Sequence, residues 1–161
     1  METIMSYYMA TALNSGMEDA IAATEAALQA EGFGVVTRID MAATLKAKIG
    51  AEFRPYIILG ACNPRLAYEA LQLEDKVGTM LPCNVIVQSL APDRTEVAAI
   101  DPVASMEAIP NDRLKSAAKE VRDRLERVIS SLSVASPAGG GEGADHDRVT
   151  EDAGETLPSR L

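Results

Sequence analysis

The chain has no tryptophan, and its one histidine, His146, lies in a glycine- and acid-rich stretch near the C-terminus. It has two cysteines, Cys62 and Cys83. Without a histidine in the first 132 residues, a Ser-His-Asp or Cys-His catalytic arrangement cannot form there. Two thiols are too few for a disulfide scaffold. A structural zinc site wants about four Cys or His ligands, so no metal site is expected. Basic residues are also in deficit: 15 Lys and Arg against 24 Asp and Glu give a net charge of −9. That balance argues against nucleic acid, which needs a basic face, and against anionic membrane surfaces. No apolar run approaches the roughly 20 residues of a spanning helix. Residues 1–12 lack the basic leader and apolar centre of a signal peptide. A cytoplasmic protein with reduced thiols is the expectation. No phosphate-cradling glycine loop is present.

Aromatics make up only 4% of the chain, so its core must come from Ala, Leu, Ile, Val and Met, within a hydrophobic share of 47% that suits a soluble globular domain. A length of 161 residues fits one domain with a tail.

The chain is organised around Leu59-Gly-Ala-Cys-Asn-Pro64 and its sequel, Met80-Leu-Pro-Cys-Asn84. A Cys-Asn step thus flanks a short helical segment on both sides. Tyr56–Leu59 reads as a buried strand that Gly60 interrupts. Asn63-Pro64 is a helix-start signal, with Asn as cap and Pro at the first helical position. Leu66, Ala67, Ala70, Leu71 and Leu73 recur at helical spacing, and Gly78 ends the segment. Val85–Val87 then forms the next strand. If the two strands share a sheet, both cysteines sit at the same rim.

Before this stretch, Ser6–Leu13 predicts a first strand. Met17–Glu31 predicts a helix capped by Ser15 in a box with Glu18 and stopped by Gly32. Phe33–Asp40 predicts a second strand, and Asp40 caps a helix over Met41–Ile49 that Gly50 ends. After it, Ala91–Arg94 is a turn into the strand Thr95–Ile100, closed by Asp101-Pro102. Val103–Pro110 is a loop or helical turn. Asn111–Leu132 is a long amphipathic helix with a stripe from Leu114 to Leu132. From 133 to 161 the sequence is acidic and Gly-rich, too poor in apolar residues to offset its ordering entropy, and is expected to be disordered. The domain is therefore placed at 1–132.

The residues Lys46-Ala-Lys-Ile-Gly50, Phe53-Arg-Pro-Tyr56, Leu59–Pro64, Ala67-Tyr68, Leu71, Gly78, Leu81-Pro-Cys-Asn84 and Asp101-Pro102 together resemble the DUF302 domain family. The resemblance spans about Ser6 to Ile129; Met80, at a packing position, is a mild departure. It implies an α+β fold: a mostly antiparallel sheet of about five strands, similar to the TATA-binding-protein-like arrangement, with helices largely on one face and a long C-terminal helix. It also implies homodimerisation. The family has no settled reaction or cofactor.

For chemistry, Cys62 is the sharpest candidate. At the start of the Pro64 helix, backbone N–H groups and the helix dipole favour a thiolate; the plainer reading is a small buried hydrophobe. Cys83 is its candidate partner, and a disulfide needs Cα atoms within about 7 Å. Asn63 and Asn84 either brace turns or bind a ligand. Asp101 is a turn residue or aims a carboxylate at the same pocket. Lys46 and Arg54 are either solvated or form an anion pocket. Three functions stay open: a dimeric small-molecule or anion binding module beside the Cys-Asn steps, which is preferred; a cysteine-dependent redox or sulfur-handling protein; and a motif that only shapes the fold.

Overall fold

A computed structural model describes residues 3–4 and 7–135. The tail expected at 133–161 lies, beyond Ala135, outside the described residues. The elements run β1 (Thr3–Ile4), β2 (Tyr8–Leu13), α1 (Met17–Ala30), β3 (Gly34–Asp40), α2 (Met41–Ile49), β4 (Tyr56–Cys62), α3 (Pro64–Leu73), a 3-10 helix (Asp75–Met80), β5 (Cys83–Ala91), β6 (Arg94–Ile100), α4 (Pro102–Ser105) and α5 (Asp112–Ala135). The strands form one antiparallel sheet in the order β1-β2-β6-β5-β4-β3. It is the expected α+β fold: five full strands, with the two-residue β1 added at one edge.

Local chemistry sets most boundaries. After α1, Gly32 takes φ 85 and the N–H of Phe33 bonds the carbonyl of Leu28 at 2.9 Å, a Schellman stop. Asp40 Oδ1 accepts from the N–H of Ala43 at 2.9 Å and opens α2. Gly50, at φ 66, closes it. The cap expected from Ser15 does not form. Gly16 occupies the N-cap without a side-chain bond, and Ser15 Oγ is buried without a partner among the described residues. What holds that corner is Thr95, fully buried, whose Oγ1 donates to the Ser15 carbonyl at 2.8 Å.

Gly60 does not end its strand; β4 runs through it to Cys62. A Cβ at Gly60 would collide with Thr37 Oγ1 and come within 2.7 Å of Pro82 Cγ. The glycine therefore lets neighbouring side chains cross the strand rather than breaking it. The Leu81–Pro82 peptide bond is cis.

Strand alternation divides the sheet into two faces. One buries Met9, Leu59, Val85, Val87, Val97 and Ala99 against α1 and α5. A second cluster, Ala70, Val77, Met106, Leu114 and Ala118, ties α3, the 3-10 helix and α4 to the start of α5. Helix α5 serves both, with Leu125, Val128, Ile129 and Leu132 in the first and Leu114 and Ala118 in the second. Each of its buried leucines stabilises the fold by about 2–5 kcal/mol relative to alanine. Among the described residues no helix is long and apolar enough to cross a membrane.

Candidate functional site

The end of β4 and the start of β5 meet at one rim of the sheet, where Ala61 stands opposite Cys83 and Gly60 opposite Asn84. On its other side β4 pairs Cys62 with Gly34 and Ala61 with Val35. Side chains directly opposite one another share a face. Val35, Ala61 and Cys83 accordingly face the helices and join the core. Cys62, one residue along at the end of β4, is partly exposed, whereas Cys83 is buried. Both thiols are free.

The asparagines diverge. Asn63 Oδ1 accepts from the N–H of Leu66 at 3.1 Å and caps α3, with Pro64 at the first helical position. Its amide is held against the α1 stop: a Cβ on Gly32 would lie 2.9 Å from Asn63 Nδ2. Asn84 is exposed on the uncovered face of the sheet.

Behind the rim, α3, α4 and α5 enclose a cavity of about 40 Å³ bordered by Cys62, Asn63 and Cys83 and by hydrocarbon, chiefly Leu66, Met106 and Leu114. No Lys, Arg, Asp or Glu borders it. Space of this size admits roughly three water-sized molecules, and an apolar lining keeps it dry. Burial, with a smaller contribution from the nearby Cys62, pushes the Cys83 thiol up to about 11. Cys83 is therefore a neutral thiol at ordinary pH, a soft wall group rather than a nucleophile.

The remaining sequence candidates lie elsewhere. Asp101 Oδ1 accepts from the N–H groups of Val103 and Ala104 at 2.9 and 3.4 Å, capping α4. Its Oδ2 accepts from Arg122 Nε at 3.1 Å. Both carboxylate oxygens are thus engaged, and only the next residue, Pro102, borders the cavity. Lys46 pairs with Glu52 at 2.9 Å, beside an open cleft of about 730 Å³ between α1 and α2. That cleft carries Glu18, Glu25, Asp40 and Glu52 against Arg38 and Lys46, an unfavourable balance for an anion. Arg54 stacks over the Phe53 ring, 4.4 Å from its centroid.

Sequence reasoning missed the arginines of α5. Arg124 Nη1 donates to the Glu31 carbonyl at 3.0 Å, and its Nη2 to Glu120 at 3.2 Å, which ties α5 to the Gly32 turn and so to Asn63. Nothing local to α5 signals these long-range partners. Met106 was also missed; an isolated methionine in a presumed loop gives no periodic signal.

In sequence, the family described as "Domain of unknown function DUF302" matches residues 9–132. No curated protein matches the chain. Among solved structures, the chain is similar to an uncharacterized conserved DUF302 protein from Bacillus stearothermophilus, with a TM-score of 0.72 and 26% identity over 78% of this chain and 97% of that one. With the family match covering β2 from Met9, β3 to β6 and all five α-helices up to Leu132, this chain belongs to the DUF302 family.

Proposed function

We propose that this domain is a binding module for a small apolar molecule, held in the rim cavity beside Cys62 and Cys83, and that it works as a homodimer. The observation that carries the reading is the cavity: one part-open space bordered by both cysteines and the Asn63 cap, with no charged side chain in its wall. That wall favours an apolar ligand over an anion, because an unpaired charge there would lose its hydration without gaining a partner. A neutral, polarizable thiol from Cys83 suits such a ligand. The two free thiols fit a reducing compartment, and we place the protein in the cytoplasm on that ground.

A second reading keeps Cys62 as a reactive thiol. Its partial exposure favours this. Cys83, buried and protonated, is a poor partner, so the thiol chemistry would belong to Cys62 alone.

The test is to purify the protein from its own cells, denature it in a sealed vessel and analyse the released low-mass compounds, with intact mass measured in parallel. The reading expects a small apolar compound at near-stoichiometric yield, reduced by Ala118→Leu, which fills the cavity. Release of nothing, or of an anion, overturns it. A covalent adduct on Cys62 would favour the second reading.

A further inference from the structure

Among the described residues, the face of the sheet turned away from the helices carries no layer of its own. Antiparallel sheets with one wet face normally alternate apolar-in and polar-out. Here the alternation fails. Cross-strand partners put Ile39 beside Ile58, Ile58 beside Ile86, Ile86 beside Ala98 and Ala98 beside Ala10. An unbroken apolar row thus crosses five strands on the open side. Tyr56 flanks it on one side, and Tyr8 and Ile100 on the other. The hollow on this face is bordered by strand residues and Tyr7, with no helical residue. In a chain of net charge −9, the charged residues among the paired positions of β2, β6, β5 and β4 on this face are Glu96 and, at the start of β6, Arg94, and Gln88 Nε2 donates to Glu96 at 2.8 Å.

We infer that this face docks a second copy of the same chain, sheet against sheet. The assignment rests on the homodimer proposed above and names its surface. Three observations favour self-association over another occupant. Charge depletion in an acidic chain marks the face as one that meets a like surface rather than a cationic partner. The area suffices: strands about 4.8 Å apart and residues rising about 3.4 Å each give a footprint of roughly 500 Å² per copy, so a pair buries on the order of 1,000 Å², the threshold for a specific interface.

The row is also self-complementary. It runs from large (Ile39, Ile58, Ile86) to small (Ala98, Ala10) across the sheet. A two-fold axis parallel to the strands near Ile86 sets the isoleucine half of one copy over the alanine half of the other. Large side chains then enter the space that small ones leave, in an isologous interface. The sequence of residues 136–161, rich in acids and glycine, is a poor chemical match for this hydrocarbon row.

Sedimentation velocity of the full-length chain over a concentration series, with melting followed by circular dichroism, tests the assignment. The wild type is expected to dimerise. Ile86→Lys and, independently, Ala98→Arg should weaken the dimer by at least about tenfold while staying folded, because both side chains face away from the core. Ile49→Lys, on the exposed α2, should leave the dimer intact. A wild type that is monomeric at every concentration overturns the dimer and this surface together, leaving the ligand reading untouched. A dimer that survives both face substitutions overturns the surface assignment alone.

Discussion

Cys83 stands opposite Ala61 across β4 and β5, and that pairing sets Cys62 at the same rim, one residue further along β4. Both cysteines border the rim cavity, yet Cys83 is buried in the core and Cys62 is partly open to solvent. Their unequal chemistry follows from this division.

Alkylation should separate them. In the native protein at neutral pH, Cys62 is expected to take up iodoacetamide while Cys83, only 6% exposed, reacts only after denaturation. Peptide mass spectrometry reads the result. Equal labelling of both thiols under native conditions contradicts the assigned burial.

Stability should depend on pH through Cys83. The folded thiol holds its proton up to about pH 11, against an ordinary value of 9.0. Its contribution is complete below pH 9.0 and is lost as pH rises towards 11. The loss is about 2–3 kcal/mol. Denaturant titrations of the wild type should show this fall, and Cys83→Ala should flatten it.

Asp101 is expected to act on stability. Its carboxylate, 13% exposed, caps α4 and accepts from Arg122. Asp101→Ala should cost about 1–3 kcal/mol; Arg122→Ala, which spares the cap, should cost less. Binding of a cavity ligand by the folded fraction should be unchanged in both.

Gly32 should tolerate no side chain. Its φ of 85 disfavours any L-residue, and a Cβ would press on Asn63 Nδ2. Gly32→Ala is expected to destabilise by about 1–2 kcal/mol. Because Asn63 caps the helix behind Cys62, the variant should also alter the Cys62 alkylation rate, which an effect confined to α1 would not do.

Much of the fold was legible in the sequence, because its signals are local. Asp40 and Gly50 bracket α2 as expected, Gly32 stops α1, and Asn63-Pro64 opens α3. Misreadings occurred where distant residues decide. Gly60 looked like a strand end, but Thr37 and Pro82 fill the space its missing side chain leaves. Ser15 looked like a cap, but Thr95, 80 positions away, engages its carbonyl instead.

The candidate site shows the same limit. The shared rim of Cys62 and Cys83 followed from placing two strands in one sheet. How deeply each thiol is buried depends on register, which no local pattern carries. The row Ile39, Ile58, Ile86, Ala98 was invisible for the same reason: its members come from four strands.

The central claim is that the rim cavity takes up a small apolar molecule. Methyl NMR of the full-length protein under dissolved xenon, a probe of suitable size, tests it most directly. Saturable shifts confined to Leu66, Met106, Leu114 and Val121, and abolished by Ala118→Leu in a variant that still melts cooperatively, are the predicted result. Shifts that never saturate, that scatter over the surface or that persist in the filled variant would contradict it.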